Sequence, residues 1–105
     1  MHRDDVGMKI EDIKKIVLPA CREFNVHRLD AFGSTARGSG TLSSDVDLIV
    51  EFSKPDHQIA KRFFGLLHQL EDVLDCEVDL LTINSLRNPY FKAQVLSERV
   101  PIYEG

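Results

Sequence analysis

Two aspartates separated by one residue are the clearest candidates for chemistry in this sequence. Asp45 and Asp47 directly precede the apolar, β-branched run Leu48-Ile49-Val50, which has the composition of a strand. Residues i and i+2 of a strand project from the same face, so the two carboxylates point the same way. Like charges in that arrangement repel each other unless they hold a cation, and carboxylate oxygens with substrate phosphates suit Mg²⁺. The pair therefore predicts a magnesium site that receives a phosphate-bearing ligand.

A Gly-Ser step earlier in the chain supplies groups that could bind that phosphate. Gly33 and Ser34 follow a short, mostly apolar stretch, and the residues from Ser34 to Arg37 favour a short helix with Ser34 as its cap. The N–H groups at a helix start carry partial positive charge, and glycine lets a phosphate approach the main chain closely. The Ser34 hydroxyl and the Arg37 guanidinium add donors.

Each half of this pattern also has a purely structural interpretation. A Gly-Ser step is most often a turn, and Ser44-Asp45 could simply close a loop, because both residue types favour turns. The two halves together, placed between two predicted strands, favour the functional interpretation.

The combined string from Gly33 to Leu48 resembles the signature of the DNA polymerase β-like nucleotidyltransferases, in which a Gly-Ser is followed by Asp-x-Asp. It is most similar to the minimal nucleotidyltransferase (MNT) group, often written GSxARGxxxxxSDxDL. The matching residues are Gly33, Ser34, Ala36, Arg37, Gly38, Ser44, Asp45, Asp47 and Leu48. The family also carries a third metal-binding aspartate on a later strand.

Asp79 is the candidate for that third aspartate. It lies in the strand predicted over Cys76–Leu81, between Val78 and Leu80, where a carboxylate is costly without a partner or a function. Glu77 on the same predicted face is the rival. Asp79 is preferred because its setting resembles the family's third metal position and because Glu77 lies nearer the start of the strand. An exposed alternating strand without a function is the structural alternative.

The N-terminal half predicts one helix and two strands around these residues. Apolar residues repeat at helical spacing from Lys9 to Phe24, where Pro19 is expected to kink or split the helix and Asn25 to end it. Strands are predicted over His27–Phe32 and Asp45–Phe52. The wholly apolar face of the second strand is expected to lie against the core.

A long helix is predicted next, over residues 57–74. Apolar residues from Ile59 to Leu74 repeat at helical spacing, and Asp56 is the expected cap. The charged side chains of this segment, Arg62 among them, are expected to be mostly solvated.

The C-terminal part predicts one more helix and a short strand. Asn88 is the expected helix cap and Pro89 the first helical residue, and Phe91 and Val95 are expected to pack inward. The last strand, Val100–Tyr103, should lie at an edge of the sheet because its proline has no N–H to donate.

Composition narrows the class of protein. The 105 residues suit a single domain over positions 1–105, and 43% hydrophobic with 29% charged residues is ordinary for a soluble globular chain. A net charge of −4 does not favour direct binding to nucleic acid. Cys21 and Cys76 lack metal-ligand spacing and are interpreted as reduced core residues. With no signal peptide and no apolar run near roughly 18 residues, no membrane association is expected and a reducing cytoplasm is the expected location.

The resemblance implies the fold and the reaction. It implies an α/β domain with a mixed sheet, three core strands in the order 1-2-3, helices behind them and a short C-terminal edge strand. The implied reaction is nucleotide transfer from a nucleoside triphosphate, with a pair of Mg²⁺ ions held by Asp45, Asp47 and Asp79. Asp79 would also assist deprotonation of the acceptor hydroxyl. The triphosphate tail is expected at Gly33, Ser34 and Arg37.

The resemblance also implies a partner. Many relatives add a helical domain that binds the acceptor. No room for such a domain is expected in this chain, so the acceptor surface is expected on another chain. In the MNT group that chain is commonly a HEPN-domain toxin, a small helical RNase, which the MNT antitoxin modifies by moving AMP from ATP to a tyrosine. Two alternatives stay open: an antitoxin acting by contact alone with a vestigial metal site, and a subunit of a split small-molecule nucleotidyltransferase. All three carboxylates being present argues against the first. The sequence is also compatible with a homo-oligomer.

Overall fold

The computed structural model describes residues 9–37 and 45–105 of the chain. Within these ranges the elements are α1 (Ile10–Glu23), β1 (Val26–Ala31), α2 (Gly33–Arg37), β2 (Val46–Phe52), α3 (Ile59–Leu74), β3 (Val78–Thr82), a 3₁₀ turn (Ile83–Ser85), α4 (Pro89–Glu98) and β4 (Val100–Glu104). This order confirms the predicted α/β class. In the described part of the chain, no helix is both long enough and apolar enough to cross a membrane.

The four strands form one mixed sheet in the order β3-β2-β1-β4. Strand β1 is antiparallel to β2 and to β4, whereas β2 and β3 are parallel. A parallel pair needs a crossover connection, and α3 supplies it. The predicted core order 1-2-3 is therefore confirmed. The last strand lies at the edge beside β1, as its proline required, with Pro101 opposite Asp30.

Each face of the sheet carries a hydrophobic core. The larger core lies between the sheet and helices α1 and α3, and it takes in the predicted apolar face of β2, namely Val46, Leu48, Val50 and Phe52. The smaller core lies on the opposite face and consists of Phe32, Ile49, Leu86 and Val95. Ile49 therefore shares a strand face with Asp47 and is nevertheless buried. Asp47 lies at one end of the sheet face that carries the smaller core.

Helix α1 continues through Pro19, so the predicted split of the helix is wrong. Pro19 is exposed, and so is Lys15, whose carbonyl loses its helical N–H donor to the proline. Water can hydrogen-bond that carbonyl, and this keeps the cost of the proline low. The predicted end of the helix is confirmed, because Asn25 has the left-handed φ of 59°.

The start of α3 differs from the prediction. The helix begins at Ile59 rather than at residue 57, and its N-cap residue is Gln58, without a side-chain cap bond, rather than Asp56. The preceding segment is wound as a turn in which the His57 N–H donates to the Lys54 carbonyl at 3.0 Å. This turn presents carbonyls to a side chain of α3.

That side chain is Arg62, and the prediction that it is solvated is wrong, since it is 9% exposed. Its guanidinium donates five hydrogen bonds of 2.6–3.2 Å to main-chain carbonyls, those of Phe24, Asn25, Ser53, Lys54 and His57. Its guanidinium carbon lies 4.8 Å from the centre of the Phe52 ring. A buried charge is tolerated when it is fully hydrogen-bonded, as here. Arg62 thus joins the end of α1, the end of β2 and the start of α3.

Helix α4 begins as predicted and packs partly as predicted. The Asn88 side chain accepts hydrogen bonds from the N–H groups of Tyr90 and Phe91, at 2.9 and 3.2 Å, and Pro89 occupies the first turn. Val95 is buried in the smaller core, but Phe91 is 43% exposed, so its predicted inward packing is wrong. The helix therefore contributes one buried residue to the core beneath it.

An ion-pair network around one buried aspartate holds the junction of α4 and β4 against the sheet. Asp30 on β1 is 1% exposed, and its Oδ2 accepts from Arg28 at 2.8 Å and from Arg99 at 3.4 Å. Arg99 also lies 3.6 Å from a carboxylate oxygen of Glu51 on β2. The segment between α4 and β4 is therefore tied to β1 and β2 by charge as well as by the strand ladder.

Candidate active site

The parallel pairing of β2 and β3 places Asp47 directly opposite Asp79. Asp79 and Asp45 are exposed, whereas Asp47 is half-buried. Asp45 immediately precedes β2, and the charges of both other aspartates act on Asp47. The three aspartates singled out in the sequence therefore lie at the same corner of the sheet, near enough for their charges to interact. Glu77, the rival to Asp79, lies before β3 and uses its main-chain carbonyl to accept from Val46 N–H at 3.0 Å.

Asp47 experiences the charges of both other aspartates. Its pKa is raised, first because burial disfavours the charged carboxylate and second because Asp79 is negatively charged. Hydrogen bonds from the Ser34 side chain and main chain oppose this shift, and the charge of Asp45 adds to it. A cation bound among the three carboxylates would offset the repulsion that adds to the effect of burial on this pKa.

The main chain of Asp47 is held from two directions. Its N–H donates to Thr35 Oγ1 at 2.8 Å, and its carbonyl accepts from the Phe32 N–H at 3.1 Å. Thr35 is buried at 9% exposure. Sequence reasoning missed Thr35 and treated it only as a helix residue. The one available signal was a short hydroxyl side chain next to Ser34 in a segment that must pack on the sheet.

Gly33 gives the Asp47 carboxylate its space. Its φ of +56° is a conformation that residues with a Cβ rarely adopt. A Cβ built at this position would lie 2.9 Å from Asp47 Oδ2. A side chain at residue 33 would therefore force the carboxylate to move.

Ser34 contacts the same carboxylate, but it does not cap α2. The helix already includes Gly33, and its first turn is closed by a bond from the Ala36 N–H to the Phe32 carbonyl at 3.2 Å, so Phe32 holds the flanking position. The predicted cap is therefore wrong. The Ser34 hydroxyl instead donates to Asp47 Oδ2 at 3.4 Å.

Arg37, the third predicted phosphate ligand, is engaged elsewhere. Its guanidinium lies 3.6 Å from a carboxylate oxygen of Glu98 at the end of α4. The side chains are 57% and 42% exposed, so water weakens the pair. Arg37 is thus available to another anion at small cost.

The donor set at this corner fits a magnesium ion. In the described ranges 9–37 and 45–105, no three or more carboxylate, imidazole or thiolate side chains are close enough to hold a metal ion by themselves. Mg²⁺ does not require such a cage, because it keeps several waters and is bound by one or two carboxylates together with substrate phosphates. The hard oxygens of Asp45, Asp47 and Asp79 match that preference.

The cysteines do not belong to this donor set. Cys21 is fully buried, and burial raises the pKa of its thiol to about 12. Cys76, just before β3, is half-buried, and its pKa is also raised, first by burial and then by the charges of Asp45, Asp75 and Glu71. Both remain protonated and unpaired, as expected for reduced cysteines.

This fold, with a Gly-Ser step against paired aspartates, defines a nucleotidyltransferase. The nucleotidyltransferase domain family matches residues 13–102, and the chain belongs to that family. The chain is 37% identical over 95 residues to a Methanocaldococcus jannaschii protein whose name proposes protein adenylyltransferase activity, covering 90% of this chain and 99% of that protein. It is 33% identical over 97 residues to the protein adenylyltransferase MntA of Thermococcus cleftensis, covering 89% and 95%.

Solved structures agree with this assignment. The structure of a proposed minimal nucleotidyltransferase has a TM-score of 0.74 and 32% identity, covering 90% of this chain and 96% of that chain. The fold is also similar, with a TM-score of 0.60 and 17% identity, to a chain in the complex of an MNT antitoxin with a tri-AMPylated HEPN toxin of Shewanella oneidensis, covering 91% and 73%. The predicted resemblance to the MNT group is confirmed.

Proposed function

We propose that this chain is a Mg²⁺-dependent protein adenylyltransferase that transfers AMP from ATP to a tyrosine hydroxyl of a HEPN-type toxin, and that it thereby acts as the antitoxin. The observation that carries the proposal is the pairing of Asp47 with Asp79 across β2 and β3, beside Gly33 and Ser34 at the start of α2. The names of the relatives support a protein acceptor, and the similar fold in a toxin complex supports a HEPN partner. We place the reaction in the reducing cytoplasm, where free thiols persist.

The three aspartates would bind Mg²⁺, and the Gly-Ser step would receive the triphosphate. When bound, Mg²⁺ supplies the positive charge that stabilises the phosphates and the attacking oxygen. Asp47 is the ligand whose position the fold controls, since Gly33 leaves it space and Ser34 donates to it. The hydroxyl and main-chain N–H of Ser34 already approach a carboxylate, and the same donors suit a phosphate oxygen.

The chemical step is an exchange at the α-phosphorus of ATP. The tyrosine oxygen forms a bond to that phosphorus, the bond to the β,γ-diphosphate breaks, and pyrophosphate leaves. Asp79 is exposed, so an acceptor can reach it, and its carboxylate takes the tyrosine proton. Asp47, held through its main chain, keeps its place during the transfer.

The product explains how the modification would silence an RNase. An AMP unit on a tyrosine adds bulk and negative charge to the surface that must bind RNA phosphates. Catalysis also needs less antitoxin than neutralisation by contact, because one antitoxin molecule modifies many toxin molecules.

Co-expression of the partner toxin with wild type and with Asp45→Asn/Asp47→Asn tests the proposal. The intact toxin, weighed by mass spectrometry, should carry one or more AMP units with wild type and none with the double variant. Asp56→Asn/Asp72→Asn removes the same charge from two exposed positions and should modify like wild type. A toxin left unmodified but neutralised equally by all three would establish the contact-only antitoxin instead. AMP found on a small molecule and not on the toxin would establish the split small-molecule enzyme.

A further inference from the structure

An irregularity in the strand ladder lies next to the site. Ala31 of β1 pairs with Leu48 of β2, so the next opposed pair is Phe32 with Asp47. In an antiparallel pair of this kind the two residues exchange both N–H···O bonds. One bond is made, from the Phe32 N–H to the Asp47 carbonyl at 3.1 Å. The return bond, from the Asp47 N–H to the Phe32 carbonyl, is replaced.

The replacement follows from the start of α2. The Phe32 carbonyl accepts instead from the Ala36 N–H at 3.2 Å, which closes the first helical turn. The Asp47 N–H therefore needs another acceptor, because an unpaired N–H in the interior is costly. Thr35 Oγ1 accepts it at 2.8 Å, from a side chain that is 9% exposed. One hydroxyl thus allows the chain to turn into a helix while the ladder continues as far as Asp47.

We propose that Thr35 is the positioning residue for Asp47, and that its hydroxyl, by standing in for the missing ladder carbonyl, sets the affinity of the site for Mg²⁺. The metal role of Asp47 in this inference rests on the proposed function. Gly33 leaves space beside Asp47 Oδ2, since a Cβ of residue 33 would lie only 2.9 Å away, so the main-chain bonds of Asp47 decide where its carboxylate lies. Loss of the Thr35 hydroxyl would leave the Asp47 N–H without its acceptor, while the bond from the Phe32 N–H to the Asp47 carbonyl would remain.

A geometric role of this kind has a characteristic effect. Removing a group that orients a metal ligand typically lowers metal affinity or activity by about 10- to 100-fold. The loss should depend on the hydroxyl and not on the volume of the side chain. Thr35→Val keeps the branched shape and removes the acceptor, whereas Thr35→Ser keeps the acceptor and removes a methyl group.

The experiment is a Mg²⁺ titration of the full chain at saturating non-hydrolysable ATP analogue, followed by amide chemical shifts. Thr35→Val should raise the half-saturating Mg²⁺ concentration by about tenfold or more, and Thr35→Ser should stay within about twofold of wild type. Ile13→Val, in the larger core and remote from the ladder end, is the control for lost stability and should leave the titration unchanged. If Thr35→Val does not fold, Thr35→Ala should show the same tenfold loss.

Three results would overturn the inference: an unchanged titration in the variant lacking the hydroxyl, an equal loss in Thr35→Ser, or an equal loss in Ile13→Val. The proposed function is judged separately by AMP transfer to the toxin. Wild type that binds Mg²⁺ and the analogue as expected but modifies no partner would overturn the proposed function and leave the role of Thr35 standing. Wild type without any Mg²⁺ response would overturn both.

Discussion

The two ends of β2 place charged side chains in opposite circumstances. Where the strand ends, Phe52 lies beneath Arg62, a buried cation that donates to five main-chain carbonyls. Where the strand starts, Asp47 lies opposite Asp79, a group of the same sign, and burial and that charge both raise its pKa. One end satisfies its charge with the protein's own atoms. At the other end the repulsion between like charges remains, and a bound cation would reduce it.

The difference separates a charged group that serves the fold from the charged groups for which we propose a ligand. A buried polar network that is fully satisfied rigidifies the structure around it. Like charges held close together lower stability, and they persist where they have a use. The comparison therefore predicts that removing charge will have opposite effects on stability at the two ends of the same strand.

The largest effect is expected at Arg62. Arg62→Met leaves five carbonyls without their donor, so the free energy of unfolding should fall by about 3 kcal/mol or more, as measured by urea denaturation. Lys61→Met changes the exposed neighbour on the same helix and should stay within about 0.5 kcal/mol of wild type. Equal losses in the two variants would mean that the carbonyl bonds contribute little.

The next effect is expected from ligand binding at the opposite end. Mg²⁺ with ATP at about 100 times its dissociation constant should stabilise wild type by about 2.7 kcal/mol, seen as a rise in melting temperature. The rise should disappear in Asp47→Asn, which removes a proposed metal ligand, and remain in Asp72→Asn at an exposed position of α3. A rise retained by Asp47→Asn would show that Asp47 is not a ligand.

The smallest effect is the stability of the metal-free protein, and its sign is opposite to that at Arg62. A carboxyl whose folded pKa is raised stabilises the fold at low pH, and that contribution is lost as the pH rises through the folded pKa. Asp47→Asn should therefore be more stable than wild type at neutral pH, by at most about 1 kcal/mol because water screens the half-exposed group. The advantage should shrink as the pH falls below the raised pKa. Denaturation midpoints of both proteins between pH 3 and 8 measure it, and a constant or reversed difference would contradict the sign.

Sequence patterns predicted the carboxylate end of β2 far better than the Arg62 end. Asp45 immediately precedes β2 and Asp47 lies within it, so the strand period alone predicts that they project together, and the family resemblance adds Asp79. Arg62 bonds to main-chain carbonyls of two separate segments, the end of α1 and the turn before α3, and carbonyls are the same in every residue. No pattern of side chains predicts such partners, so the sequence alone predicts that Arg62 is solvated.

The same limit explains the errors at helix starts. Ser34 and Asp56 are good cap residues by type, and residue type is all that a single sequence offers at a helix boundary. Gly33, which has a left-handed φ, is already part of α2, so this helix begins before Ser34. The turn whose carbonyls bind Arg62 includes Asp56, so α3 begins after it, at Ile59. Thr35 was missed because its role depends on which carbonyl the ladder loses, and only the assembled sheet decides that.

The parallel pairing of β2 and β3 also has a consequence for how the protein is made. Asp47 and Asp79 become neighbours only after α3 has carried the chain across the sheet, so the pair closes a long loop during folding. Non-local contacts of this kind form slowly and late. A chain whose sheet is incomplete therefore contains the residues of the site but does not hold them together. Activity should appear in a single step when the sheet is complete, so the rate at which activity recovers should report the rate of folding.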